Sequence, residues 1–506
     1  MSPQTLQVFG PELYLCGLGL LILIADMILG RRGRGFITGL TVVGLVGCLV
    51  PIVNLWGSEP RSIFSGTYVV DGLALFFKAL FVVTGAFVVL LTAGYGAQTD
   101  PGESDALPDR GEFFALLVFL VLGLCLMAGA NDLVLLYLSF ELVSLTSYMM
   151  AAWRKRDRLS NEAGVKYFIY GAAASAVMLY GLSLLYGAGG STNLTTLGEH
   201  FMKPVPGAGL ALVGVLGVLL VLVGLGYKIS MVPFHAWAPD VYQGAPTPVT
   251  ALLSVGPKAA GFALLLRVFA ALAPALHVPW QMVLALFATL TMFGGNLLAL
   301  RQTDMKRLLA YSSIAHAGYL LIGVVVGPQE PWGQAGILVY LVAYLLMNLG
   351  MFSLAIWVER FGEPVEGEQL PSSLARYSGL AQRAPGVAFL TVILLLSLTG
   401  IPPTAGFLGK LYLFGAAIKS HQWAWLAVVG IINSVVSLYY YMNIARLMYF
   451  GKVPHEAKRA VAEAGRLRPA EALLGAVVVL TTAATVALLV VPDWLVDAAR
   501  LTVAVR

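Results

Sequence analysis

Residues 226–261 read GYKISMVPFHAWAPDVYQGAPTPVTALLSVGPKAAG, an apolar stretch holding two lysines, Lys228 and Lys258, each near a proline, Pro233 and Pro257. A lysine at the centre of a bilayer costs about 2.5–3.5 kcal/mol on insertion scales, so one that persists there faces a cavity or a partner. Proline removes a backbone donor and bends or breaks the helix, freeing carbonyls that hydrate or bind a cation. Lysines beside broken helices point to charge moving through a membrane.

The rest of the chain has the same character. Of its 506 residues, 59% are hydrophobic and only 11% charged, against roughly 25% charged in an ordinary soluble domain. Apolar runs long enough to cross about 30 Å of hydrocarbon recur from Gly10 to Val491, with no long hydrophilic stretch between them. The expected fold is therefore an all-α polytopic membrane protein, a single transmembrane domain over 1–506 without a soluble catalytic domain. Fourteen spans are expected: 10–29, 36–57, 69–94, 112–129, 131–150, 161–187, 207–232, 248–271, 279–300, 307–326, 333–358, 385–418, 424–446 and 470–491. The first lacks a basic segment before it and is too long for a signal peptide's apolar region, so it reads as a retained helix.

Lysine and arginine set the orientation, because positive loops stay cytoplasmic. Of the 31 basic residues, 20 fall in one set of alternate loops: Arg31, Arg32, Arg34, Arg110, Arg154, Lys155, Arg156, Arg158, Arg301, Lys306, Arg307, Arg360, Arg376, Arg383 and six from Arg446 to Arg468. The other set holds only Arg61, Lys203, Lys419, Arg500 and Arg506, which predicts non-cytoplasmic N- and C-termini. The net charge of +5 is thus topology signal and gives no reason to expect nucleic acid. Cys16, Cys48 and Cys125 lie in three separate spans without metal-ligand spacing, and no phosphate loop, paired-cysteine cluster or haem motif is present. The sequence offers no place for a metal, flavin, nucleotide or iron–sulfur centre; electrons of any redox system would travel elsewhere.

Six basic residues remain inside spans: Lys78, Lys166, Lys228, Lys258, Arg267 and Lys410. Glu141 joins them, about ten residues from either end of its span, where snorkelling cannot rescue a carboxylate. Lys166 lies on the next span after a short basic turn, so a Glu141–Lys166 pair is expected, an electrostatic switch in which separating the partners changes both. The alternative for Glu141 is a structural hydrogen bond. Lys228, Lys258 and Lys410, the last beside Pro402 and Pro403, extend the series; the alternative is that each caps a broken half-helix through its freed carbonyls. His235 and His316 are candidate proton relays, against the ordinary alternative of hydrogen-bonded core histidines. Lys78 has Asp71 two turns earlier and reads as paired or hydrated; Arg267, near a span end, reads as snorkelling.

A five-span internal repeat is also suggested, since spans seven and twelve both combine prolines with a lysine. An odd-numbered repeat inverts topology, giving half-channels that open to opposite sides. The expected units are 112–271 and 279–446.

Four segments carry a resemblance that covers essentially the whole chain: NDLVLLYLSFELVSLTSYMMAAWRKRDRLSNEAGVKYF (131–168), KISMVPFHAWAPDVYQGAPTPVTALLSVGPKAAGF (228–262), TDMKRLLAYSSIAHAGYLLIGV (303–324) and GIPPTAGFLGKLYLF (400–414). The chain resembles the antiporter-like membrane subunits of respiratory complex I, NADH-quinone oxidoreductase, the subunit N type above all. The resemblance implies fourteen helices, spans four to eight and nine to thirteen as inverted repeats, and breaks in spans seven and twelve. It implies proton pumping, with Glu141, Lys166, Lys228, Lys258 and Lys410 as the path, and no redox cofactor in this subunit; flavin, iron–sulfur clusters and quinone belong to partner subunits. Quinone reduction elsewhere would split and reform Glu141–Lys166, alter the proton affinity of Lys228 and Lys258, and release a proton through Lys410. Implied partners are the other membrane-arm subunits, including the M type and the small K and J types, and membrane lipid, in a bacterial cytoplasmic membrane.

The segment around APDVYQGAPTPVTALLSVGPK, a lysine rather than glutamate at 410, and a chain that stops soon after span fourteen favour the N type over the sibling M and L types. Other functional classes stay open: a subunit of a multi-subunit cation/proton antiporter, a standalone secondary antiporter, or a structural spacer whose charges only hold helices together. The loop 359–383 reads as a connector, and 452–468 as an interfacial helix or a plain basic loop.

Overall fold

A computed structural model describes residues 3–96, 110–203, 208–274, 278–361, 370–452 and 469–504. Nearly every apolar run becomes a helix, because in hydrocarbon each backbone N–H and C=O must find its partner within the segment. The order is α1 (Gly10–Leu29), α2 (Arg34–Gly47) continued by α3 (Leu49–Leu55), a hairpin of β1 (Arg61–Ile63) and β2 (Tyr68–Val70), then α4 (Gly72–Gly96), α5 (Arg110–Gly129), α6 (Leu133–Ala151) and α7 (Arg158–Gly189). Next come α8 (Leu194–Met202), α9 (Ala208–Ile229), α10 (Ala238–Gly244), α11 (Thr247–Leu272), α12 (Trp280–Ala299), α13 (Met305–Val326) and α14 (Pro331–Phe361). The chain closes with α15 (Pro385–Thr399), α16 (Ala405–Lys419), α17 (Ala424–Phe450), α18 (Pro469–Val490) and α19 (Asp493–Ala504).

Polar residues in the turns start these helices. Asp132, Asp157, Asn193 and Asp304 each accept backbone N–H bonds from the first turn of α6, α7, α8 and α13, the ordinary N-cap role of these side chains. Pro51 clashes with the carbonyl four residues earlier and separates α2 from α3 at Cys48.

Among the described residues, thirteen segments, with α2 and α3 counted as one, are long and apolar enough to cross a membrane. The difference from the expected fourteen lies at 385–418: the span is two helices of 15 residues, α15 and α16, separated at Gly400–Thr404. Pro402 and Pro403 have no N–H to carry a helix through that point. The hairpin, α8, α10 and α19 were not expected as separate elements. Residues 370–383 do more than connect: Met305 N–H bonds the Ser372 carbonyl (2.8 Å), Leu374 N–H bonds the Thr303 carbonyl (2.8 Å), and the Ser372 hydroxyl donates to Asp304, so the segment clasps the start of α13. The reading for 452–468 falls, beyond Lys452, outside the described residues.

The helices form a core and a rim. The apolar window of α11 is 100% buried and those of α13 and α14 are 94% buried, against 28–44% for α1, α2 with α3, α7, α12, α17 and α18. Helices apolar on every side belong in the middle of such a bundle. The intramembrane lysines at 228, 258 and 410 point into this core.

Candidate functional site

Lys228 lies in the last turn of α9. The helix stops there because Ser230 takes φ +59°, in the left-handed region, and Pro233 cannot donate an N–H. The Lys228 side chain is 1% exposed; Nζ donates to Ser144 Oγ (2.8 Å) and sits 4.0 Å from the Phe140 ring centroid, a cation–π distance. Glu141 lies one turn before Ser144 on α6 and acts electrostatically on Lys228. Its carboxylate accepts a hydrogen bond from Ser175 of α7, whose Oγ is 3.2 Å from Tyr137 Oη. Tyr137, Glu141 and Ser144 thus form one stripe on α6.

The stem of Lys228 rests on Gly261 of α11, where an added Cβ would meet Lys228 Cγ at 3.4 Å and Ile229 Cγ2 at 2.6 Å. Only glycine permits this approach. Gly261 is one turn beyond Lys258, so the stem of Lys228 packs against the helix that carries Lys258. Lys258 Nζ donates to Ser313 Oγ of α13 (2.5 Å) and faces the Tyr242 ring at 5.6 Å.

From Ser313 the polar series continues along α13 at helical spacing, through His316 to Tyr319. His316 is within electrostatic reach of both Lys258 and Lys410. Its Nδ1 contacts Tyr340 Oη (2.5 Å) and its Nε2 contacts Tyr441 Oη (3.2 Å), which also bonds Ser312. Tyr319 lays its ring 4.4 Å from Lys410 Nζ. Lys410 donates to the carbonyls of Thr399 (2.7 Å) and Leu398 (3.4 Å) and to Ser434 Oγ (3.1 Å). Those carbonyls are free because α15 ends at Gly400, at φ +88°.

Lys228, Lys258, His316 and Lys410 therefore lie in one buried line, with half-buried Glu141 at its α6 end. Lys166 and His235 do not. The expected Glu141–Lys166 pair does not form: Lys166 Nζ contacts Asp240 Oδ2 (2.5 Å) and Glu162 Oε1 (2.7 Å). The residue of α7 that faces Glu141 is Ser175, nine positions past Lys166, or about 13 Å along the helix axis. Asp240, on α10 outside the membrane-crossing helices, also binds Arg307 Nη1 (2.5 Å). Partial burial pulls the Asp240 carboxyl upward, yet the hydrogen bonds and charges of Lys166 and Arg307 outweigh it and hold the group below its ordinary value. His235 occupies the half-buried link between α9 and α10 and makes no hydrogen bond to this line among the described residues.

Two other expectations are corrected. Arg267 does not snorkel: its side chain is 8% exposed and grips Asp71 through Nη1 (3.1 Å) and Nη2 (2.7 Å) while Nε donates to the Ala128 carbonyl (2.6 Å). Lys78 pairs not with Asp71 but with Glu12 of α1 (2.8 Å), whose carboxylate also accepts from Tyr68 (2.6 Å). Lys306, counted among the loop charges, is buried and donates to the Ala245 carbonyl (2.7 Å). Sequence reasoning also passed over Ser144, Ser313, Tyr319 and Ser434. The 313–316–319 spacing was the available signal for the middle of the line; Ser144 and Ser434 have none, since each matters only through a lysine far away in sequence.

The family model described as NADH:quinone oxidoreductase/Mrp antiporter, TM, matches residues 130–437, which contain every lysine of the line. The chain is 39% identical to NADH-quinone oxidoreductase subunit N of Trichlorobacter lovleyi over 88% of both chains. It is 43% identical to NADH-quinone oxidoreductase subunit N 2 of Chloroherpeton thalassium, over 87% of this chain and 85% of the relative. Among solved structures, a chain of respiratory complex I from Thermus thermophilus with bound aureothin superposes with a TM-score of 0.77 at 31% identity, covering 96% of this chain and 98% of the other. With its broken helices, buried lysine line and these relatives taken together, the chain belongs to the subunit N family of NADH-quinone oxidoreductase, within the NADH:quinone oxidoreductase/Mrp antiporter group of membrane proteins.

Proposed function

We propose that this chain is a proton-translocating membrane-arm subunit of an NADH:quinone oxidoreductase. One observation carries the reading: Lys228, Lys258 and Lys410 are all buried, and among the described residues none has a carboxylate within ion-pair distance. An ammonium paired to a carboxylate is fixed as an ion. One solvated by hydroxyls, carbonyls and ring faces can lose or regain a proton without stranding a counter-charge.

Quinone reduction in partner subunits, which hold the flavin and iron–sulfur clusters, drives the cycle. A change of charge at Glu141 acts on Lys228 through the neighbourhood of Ser144, one turn along α6, and the proton passes to Lys258 across the Gly261 contact. Ser313, His316 and Tyr319 lead it to Lys410, from which it leaves on the outer side. The break after α9 and the break between α15 and α16 support two inverted five-helix units, 112–271 and 279–446, offering half-channels to opposite sides. The asymmetry of the basic loops supports a topology with both termini outside the cytoplasm, in a bacterial inner membrane.

Glu141 is only half-buried and opens between α6 and α7, beside exposed Leu138 and Leu145. A carboxylate at mid-span is costly against lipid, so this face is where a neighbouring membrane-arm subunit docks; the M, K and J types are the candidates. The test is proton pumping and NADH oxidation in inside-out vesicles whose complex carries Lys228→Ala, with assembly checked on a native gel. Assembled complex with both activities reduced is expected; wild-type pumping would overturn the central-lysine mechanism.

A further inference from the structure

Outside the line, Asp240 is the centre of a charged cluster. Asp240 stands between two cations on different parts of the bundle: Oδ2 contacts Lys166 of α7 (2.5 Å) and Oδ1 contacts Arg307 of α13 (2.5 Å). Arg307 also reaches Gln243 Oε1 (3.1 Å), and its neighbour Lys306 donates to the carbonyl of Ala245 at the end of α10 (2.7 Å). The short helix α10 is therefore held from both sides, by α7 and by α13. On the α7 side the approach is tight, since a Cβ on Gly244 would stand 2.2 Å from the Leu159 carbonyl oxygen.

α10 and its lead-in also touch the neighbours of the lysines. Trp237 stacks on Tyr167 (4.6 Å between centroids, 19° between planes), the residue after Lys166. Trp237 Nε1 donates to the carbonyl of Tyr227 (3.1 Å), the residue before Lys228, and Tyr227 Oη donates to the Tyr167 carbonyl (3.1 Å). Two and five residues beyond Asp240, Tyr242 and Ala245 carry the contact to Lys258 and Lys306: the Tyr242 ring faces Lys258 Nζ at 5.6 Å, and the Ala245 carbonyl accepts from Lys306 Nζ. Packed aromatic groups move as a block rather than yielding one by one. A shift of α10 would reach Lys228 through Trp237 and Lys258 through Tyr242.

We propose that Asp240 is a positioning residue of the proton path: its shared bond to Lys166 and Arg307 sets the place of α10, and through Trp237 and Tyr242 the place of Lys228 and Lys258. This rests on the proton-path reading above. It assigns Lys166 a working partner, Asp240, in place of Glu141. The charge on Lys166 then matters because it holds α10 against α7, not because it meets Glu141 directly. Arg307 supplies the opposing hold from α13.

The experiment uses the whole complex in inside-out vesicles, comparing protons pumped per NADH oxidised at matched assembly. Asp240→Asn keeps the side-chain shape and removes the charge; the pumping rate is expected to fall roughly two- to tenfold while NADH oxidation falls less. Asp240→Glu, which restores the carboxylate, is expected to recover most of the coupling. If Asp240 acts through its two cations, Asp240→Asn added to the Lys166→Met, Arg307→Gln double variant makes it no worse. Wild-type coupling in Asp240→Asn, or effects that simply add, overturns the assignment. Should Asp240→Asn fail to assemble, Arg307→Gln leaves the Lys166 bond in place and decides: coupling lowered with assembly retained is expected, and coupling unchanged overturns it. Lys228→Ala in the same vesicles separates the two levels. Loss of pumping in Lys228→Ala with normal coupling in Asp240→Asn removes this inference alone, whereas normal pumping in Lys228→Ala removes the path reading beneath it.

Discussion

Replacing Arg267 with Met tests whether the outer rim of α11 is fixed by its ion pair. Arg267 and Asp71 are 8% and 9% exposed and joined by two parallel N–H···O bonds. Removing the guanidinium leaves a buried carboxylate that keeps its bond from Ala74 N–H (2.8 Å). Breaking one side of a buried pair costs about 3–5 kcal/mol, or about two to three and a half powers of ten in the folding equilibrium. Asp71→Asn added to Arg267→Met removes the stranded charge while keeping an oxygen for Ala74. What then remains is the Ala128 carbonyl without its Arg267 donor, a loss of about 1–3 kcal/mol. The thermal midpoint of the solubilised complex, followed by native gel after heating, is therefore expected to drop for Arg267→Met and to recover by half or more in the double variant. A double variant as labile as the single one would refute the ion-pair argument and return Arg267 to a packing role.

Gly244→Ala forces a Cβ to within 2.2 Å of the Leu159 carbonyl oxygen and 2.8 Å of Ala163 Cβ, backbone and helix-core contacts that cannot swing aside. Overpacking of this kind costs about 1–3 kcal/mol, read as a lower thermal midpoint of the complex; an unchanged midpoint would show that α10 does not seat against α7. Tyr340→Phe deletes the hydroxyl 2.5 Å from His316 Nδ1, worth about 1 kcal/mol. Pumping is expected to fall a few-fold in fully assembled complex, and pumping at the wild-type rate would take His316 out of the path.

The fold was legible because its determinants are local. Run length gives the spans, and Pro233, Pro402 and Pro403 give the breaks, since a missing N–H acts on its own helix wherever the rest of the chain goes. That three lysines lie inside spans was equally plain. Their partners were not. Glu141 and Lys166 were matched because a short turn joins their helices, but adjacency does not fix axial register: α7 has 32 residues to the 19 of α6, and its slide puts Ser175 at the level of Glu141. Lys78 was offered the nearest carboxylate in sequence, Asp71, whereas the bundle brings Glu12 from the first helix. Asp71 in turn meets Arg267, 196 positions away. Charges in a low-dielectric core take the partners that packing supplies, and packing between distant helices leaves no mark on local spacing.

The six cations read within spans fall into two kinds, and the division supports the proposed path over the capping reading of the lysines. Lys78, Lys166 and Arg267 each hold a carboxylate; they are tied off, and they pin α4 to α1, α7 to α10 and α11 to α4. Lys228, Lys258 and Lys410 hold hydroxyls, carbonyls and ring faces. Had these three served only to cap broken helices, each would donate to carbonyls freed at a break. Lys410 does so, at Thr399 and Leu398. Lys228 reaches instead across to Ser144 on α6 and Lys258 across to Ser313 on α13, acceptors that no helix end requires. A cap explains one lysine of three. A line of ammonium groups, each passed from a hydroxyl on one helix toward the next, accounts for all of them, with Lys410 serving both purposes where α15 stops.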